Sequence, residues 1–184
     1  MKKEFPIFKS LKILVVAAFL SALSIILGKY LAIPIGNVMR FSFENLPIIF
    51  AGMVFGPIVG ALVGTVADLI GCVLVGYTIN PIVTVGAAAI GAVSGGAFPL
   101  LRKMKLGNTW DMVVSVAIAH AVGSVVIKTF GLAAFYSMPF FVLMLWRLLN
   151  YVIVGALECL LITVLLKNKS VVVHIKSLGG ARFL

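Results

Sequence analysis

Apolar residues gather along this chain in long blocks, with neither the alternation of a half-buried strand nor the narrow stripe of a surface helix. The blocks lie at about 11–33, 44–56, 57–76, 81–101, 112–135 and 139–166, separated by polar or basic residues. A helix of roughly 20 residues is about 30 Å long, the depth of a bilayer's hydrocarbon core. The apolar run from Leu46 to Val75 covers thirty residues, which as one helix would be about 45 Å. Gly56-Pro57 sits inside it, and proline removes a backbone donor and favours a break. Two shorter helices meeting at a tight turn are therefore expected. The pattern predicts an all-α membrane protein with six transmembrane helices, a membrane domain over 1–167 and a cytoplasmic tail over 168–184. Met1-Lys2-Lys3 ahead of the first block looks superficially like a signal peptide. The run is too long and lacks a small-x-small cleavage pattern, so it reads as a retained first helix.

Composition agrees with this pattern. The chain is 62% apolar and 11% charged, too little polar surface to cover a water-soluble fold of its size, so lipid must solvate much of it. Fifteen Lys and Arg stand against five Asp and Glu, an excess that could point to nucleic acid. Here, however, the basic residues fall at the ends of apolar blocks. Lys2, Lys3, Lys9 and Lys12 precede the first, Arg102, Lys103 and Lys105 follow the fourth, and Lys167 and Lys169 follow the sixth. With six spans the three clusters share one side, which the positive-inside rule makes the cytoplasm. Both termini are then cytoplasmic, the expected location is a cell membrane crossed several times with lipid as a partner, and no nucleic-acid partner is expected.

Enzyme signatures are absent. No Gly-rich loop ends in Lys-Ser or Lys-Thr, so nucleotide hydrolysis by this chain alone is not expected. Cys72 and Cys159 lie in apolar runs without metal-like spacing and read as free buried thiols. His120 is a lone histidine in the fifth block, expected to be packed and hydrogen-bonded. No metal or cofactor is expected.

Candidate chemistry, Glu44 included, gathers toward the outer side. Lys29, Arg40, Lys128 and Arg147 are basic residues that the positive-inside rule does not explain. Charges near membrane depth need a partner, a wet cavity or a route to the interface, and Lys29 and Lys128 could instead snorkel to the headgroups. With Asp68, Tyr77, Asn80, Thr84, Trp146, Asn150 and Tyr151, the residues Arg40, Lys128 and Arg147 form the candidate substrate-binding set. Arg147, Asn150 and Tyr151 are three and four residues apart and share one helix face. The set offers guanidinium for an anion, carboxylate and amide for a hydrogen-bonding heterocycle, and aromatic rings for stacking. The plainer alternative makes the Tyr and Trp residues an interfacial belt and pairs Asp68 structurally with Arg40 or Lys128. Small residues recur at four-residue spacing: Gly56, Gly60 and Gly64, Gly91 and Gly95, and Ala18 and Ala22. Such spacing lets helix backbones approach closely, which for the glycines reads as packing within the chain and for Ala18 and Ala22 as a docking face.

Several of these segments resemble a known family. Arg40-Phe-Ser-Phe-Glu-Asn-Leu-Pro47, Ala51-Gly-Met-Val-Phe-Gly-Pro57, Gly60-Ala-Leu-Val-Gly64, Ala67-Asp-Leu-Ile-Gly71 and Trp146-Arg-Leu-Leu-Asn150-Tyr151 are similar to the substrate-binding S components of energy-coupling factor (ECF) vitamin transporters, with the folate-specific branch the nearest. The resemblance implies a six-helix protein that binds a vitamin at the outer side. It also implies assembly with a transmembrane coupling protein, on which Ala18 and Ala22 dock, and with two cytoplasmic ATPases that supply the energy. For folate, Asp68 and Asn80 suit the pterin edge, while Tyr77, Trp146 or Tyr151 would hold the rings. Arg40, Lys128 or Arg147 would take the carboxylates. One departure is the short second outer loop, Gly76 to Pro81, where some folate-branch members carry a longer Gly- and Pro-rich one. The competing readings are an S component for pantothenate, riboflavin or a queuosine precursor, and a stand-alone secondary transporter, which no internal repeat supports.

Overall fold

The computed structural model describes residues 11–35, 39–104 and 109–179, with the side chains of Ile35, Met39 and Arg40 left aside. Lys2, Lys3, Lys9 and Lys105, from the expected cytoplasmic clusters, lie outside the described residues. The chain begins with α1 (Leu11–Ile25), which continues into a π-helical turn at Ile26–Tyr30. Two short strands, β1 (Ile33–Ile35) and β2 (Met39–Phe41), follow and pair antiparallel with Pro34 opposite Arg40. Then come α2 (Asn45–Phe55), α3 (Pro57–Val75) and α4 (Pro81–Lys103). A long helix is built from α5 (Trp110–Ala119), a π-helical stretch (His120–Ile127) and α6 (Lys128–Tyr136), and α7 (Phe140–Lys167) and α8 (Lys169–Ser177) complete the chain.

Local chemistry sets the boundaries. Gly56, at φ 97°, ends α2 in a conformation closed to most side chains. Pro57 then opens α3, where its missing N–H costs no helix bond. Asn80 caps α4 by accepting from the backbone N–H of Ile82 and Val83, with Pro81 next in line.

The structure differs from expectation at two places. The loop foreseen after the first span holds the β-hairpin, a small addition to an otherwise helical protein. Of the six expected spans, five are helices long and apolar enough to cross a bilayer, while the sixth, expected at 44–56, is the eleven-residue α2. At 1.5 Å per residue α2 is about 16 Å long, roughly half the hydrocarbon depth. The hairpin takes up the residues before it, and Gly56 stops it. The molecule tolerates a short helix here because α2 is enclosed. Asn45, Ile48, Ile49, Ala51, Met53 and Val54 are all buried, and α1, α3 and α4 pack around it. Its lower end meets α8, where Ile175 is buried against Val54.

Glycines set the distance between α2, α3 and α4. A Cβ on Gly91 would overlap the carbonyl of Gly60, one on Gly64 would overlap that of Ala87, and one on Gly52 would overlap that of Gly91. These are backbone-on-backbone contacts, and they bear out the reading of the four-residue glycine repeat as packing within the chain. Large apolar side chains such as Phe19, Val73 and Phe141 are instead 65, 67 and 78% exposed along the outer faces of α1, α3 and α7, a surface suited to hydrocarbon.

Because nothing flexible can yield at the contact, Gly91→Leu is expected to force α3 from α4 and lower the ligand-free melting temperature in detergent; overpacking typically costs about 1–3 kcal/mol. Gly96→Leu is the control, since a Cβ there meets nothing within 4 Å, and its melting temperature should match that of the parent chain.

Candidate functional site

One end of the helix bundle holds a cavity of about 440 Å³, within the range of small-molecule sites. Its wall is assembled from Gly28 and Lys29 after α1, Ser42 and Glu44 before α2, Asp68 on α3 and Tyr77 beyond it, Val83 on α4, Lys128, Leu132, Tyr136 and Met138 on and after α6, and Leu143, Arg147, Asn150 and Tyr151 on α7. Asp68, Tyr77, Lys128, Arg147, Asn150 and Tyr151 of the expected set line it together.

Charge organises this space. Lys128 Nζ lies 2.9 Å from Glu44 Oε1, and the lysine side chain is only 4% exposed. Removing either partner would strand a desolvated charge, so the pair fastens the segment before α2 to α6. The alternative pairing of Asp68 with Lys128 is thereby corrected: Lys128 takes Glu44, and Asp68 Oδ2 accepts from the Thr84 hydroxyl at 2.7 Å. Thr84 therefore stands behind Asp68 and orients it. Lys29 Nζ lies 5.8 Å from the centre of the Tyr77 ring. Arg147 donates from Nε to the Ser124 carbonyl at 3.1 Å and from Nη2 to the Tyr151 hydroxyl at 3.3 Å, leaving other guanidinium N–H groups for a ligand. Three cations, Lys29, Lys128 and Arg147, thus face two carboxylates, Glu44 and Asp68, across one cavity. The space suits a ligand that is anionic at one part and rich in hydrogen-bonding groups at another.

Two expected residues, Asn80 and Trp146, stand apart from the cavity. Asn80 is 4% exposed; its Oδ1 caps α4 and its Nδ2 donates to the Gly131 carbonyl at 2.8 Å, so its amide is engaged in holding α4 to α6. Trp146 is 56% exposed and absent from the cavity lining. The Arg40 side chain lies outside the described residues. Lys29 and Glu44 also line the site, Glu44 as one of the polar residues expected toward the outer side and Lys29 in addition to them. Both were visible as charges flanking the first outer loop, but only the fold brings Glu44 to Lys128, 84 residues away.

Residues 12–169 match the family model of the ECF transporter substrate-specific component. The chain belongs to that family. An S component of this kind is a transport subunit rather than an enzyme, in keeping with the five membrane-length helices. The chain is 24% identical over 161 residues to the folate transporter FolT of Clostridium novyi (strain NT), covering 84% of this chain and 87% of that protein. Its fold is similar to that of FolT solved with folic acid bound, at TM-score 0.65 and 21% identity, covering 82% of this chain and 89% of that one. It is also similar to an S component for biotin, at TM-score 0.63 and 20% identity, covering 85% and 92% of the two chains.

The internal role of Asn80 yields a direct expectation. Asn80→Ala should lower the ligand-free melting temperature, since losing a helix cap costs about 1 kcal/mol; thermal denaturation followed by intrinsic fluorescence reads it.

Proposed function

We propose that this chain is the folate-binding S component of an ECF-type importer. The observation that carries the reading is the cavity itself, where Asp68 stands on α3 and Arg147 on α7 with Tyr77 and Tyr151 among the lining side chains. Folate joins a flat hydrogen-bonding pterin, an aromatic linker and a dicarboxylate. In this reading Asp68, held by Thr84, takes the pterin edge, since a carboxylate accepts from a ring N–H and an amino group together. Tyr77 and Tyr151 line the ring portion, and Arg147 with Lys29 or Lys128 takes the carboxylates. The excess of cations in the cavity supports an anionic ligand over riboflavin or another uncharged vitamin. The likeness to FolT supports folate over pantothenate.

The remaining parts of the reading concern orientation and partners. The cavity sits where α1 and α3 end and α7 begins, whereas Lys12, Arg102, Lys103 and Lys167 occupy the opposite ends of α1, α4 and α7, and Lys169 opens α8. The positive-inside rule then puts the cavity outside and both termini in the cytoplasm of a bacterial cell, with α2 returning the chain from one end to the other. Ala18 and Ala22 lie on the exposed face of α1, a flat strip fit for a helix of the transmembrane coupling protein. The two cytoplasmic ATPases bind that partner and provide the energy.

Calorimetric titration of the detergent-solubilised protein, freed of carried-over ligand, should give tight one-to-one folate binding without ATP or partners, and no comparable heat with pantothenate or riboflavin. Arg147→Ala and Asp68→Asn should each weaken folate by about 10- to 100-fold, the usual loss when a buried polar partner is removed. Absence of folate binding by a folded sample, or unchanged affinity in both variants, would remove the assignment.

A further inference from the structure

Glu158 is a carboxylate that the ligand cavity does not use, and it is held where a carboxylate is hardest to hold. It lies within α7 at 0% exposure, between Leu157 and Cys159. Ionisable residues inside a membrane span are expensive unless paired, and they tend to mark function. Glu158 Oε2 is 2.5 Å from His120 Nε2, and His120 is itself 3% exposed. The other oxygen, Oε1, has no hydrogen-bond partner among the described residues. A single contact therefore holds the group.

Two paths lead from His120 back to the ligand cavity. Its Nδ1 is 3.2 Å from the Ser124 hydroxyl, and the Ser124 carbonyl accepts from Arg147 Nε. Its ring also stacks on Tyr151, with centroids 4.7 Å apart and planes 25° apart, and the Tyr151 hydroxyl accepts from Arg147 Nη2. Both paths end on one guanidinium. Arg147, Tyr151 and Glu158 recur at four- and seven-residue spacing on a common face of α7. His120 and Ser124 stand opposite, four apart, in the π-helical stretch, a winding that is frequent at functional sites.

We infer that Glu158, acting through His120, is a positioning residue that pre-sets Arg147 and Tyr151 for the ligand. The inference deepens the ligand reading above and rests on it. A carboxylate facing Nε2 selects the imidazole tautomer with its proton there, leaving Nδ1 to accept from the Ser124 hydroxyl. Glu158, Ser124 and Tyr151 then fix the ring from three directions. The fixed ring holds the tyrosine plane, and tyrosine and Ser124 carbonyl together aim the guanidinium into the cavity. Without the carboxylate the arm loosens, and the ligand must order it on binding, which lowers affinity.

The test is folate titration of Glu158→Leu and Glu158→Gln, each with Arg147 intact and in an Arg147→Ala background. Glu158→Leu should weaken folate about 10-fold with Arg147 present and less than about twofold without it, because an effect relayed through Arg147 is non-additive with its removal. Glu158→Gln keeps an acceptor for Nε2–H and should stay within about threefold of the parent chain. Equal losses in both backgrounds, or none in either, overturn the inference. A ligand-free readout stands beside this one. The chain has two histidines, His120 and His174, so nitrogen-15 histidine spectra of a His174→Gln protein report on His120 alone. Its signals should shift in Arg147→Ala, and unchanged signals overturn the relay even if Glu158→Leu fails to fold. If the parent chain does not bind folate, the vitamin assignment falls, and the ligand-free spectra, recorded also for Glu158→Gln, still decide whether Glu158 and Arg147 are coupled through His120.

Discussion

The structure depends first on how closely three backbones can approach in a solvent that does not drive helices together. Lipid tails are as apolar as leucine, so association must come from dispersion contacts and hydrogen bonds. Gly52 and Gly60 bring α2 and α3 against Gly91 and Gly95 of α4, main chain on main chain. The short α2 is tenable only inside that packing. Neighbouring helices surround it, α8 meets its lower end, and the hairpin precedes its upper end. The rigid three-helix unit in turn supplies one wall of the cavity, through Asp68 on α3 and Val83 on α4.

Against this rigid wall stands a second one, made by α6 and α7 and joined to the first by polar contacts. Lys128 reaches Glu44, and Asn80 at the start of α4 reaches the Gly131 carbonyl of α6. Charges that would be a liability in lipid thus serve as fastenings between the two walls, and each is kept from hydrocarbon by a partner or by the cavity.

Much of the architecture was legible because membrane spans announce themselves by length and hydropathy, and because Gly56-Pro57 marks a break on any scale. The enclosure of α2 was not, since an apolar run does not say whether lipid or protein surrounds it. In the site, Arg147, Asn150 and Tyr151 were found together because helical spacing places them on one face. Asn80 and Trp146 were harder to place. An Asn before a Pro at a helix start is as good a cap as a ligand donor, and Trp near an interface faces lipid as readily as a pocket. Glu158 carried a readable signal, a single carboxylate amid leucines, but its pairing with His120 spans 38 residues and exists only in the folded chain.

Tyr151 belongs to two spaces at once. It lines the polar cavity and also an apolar groove of about 500 Å³ between the π-helical stretch and α7. The Tyr151 side chain therefore forms part of the wall of both the polar cavity and the apolar groove. A small-side-chain substitution there would do more than remove a stacking surface: it would take wall from both spaces together, the compartment built for a charged guest and its apolar neighbour.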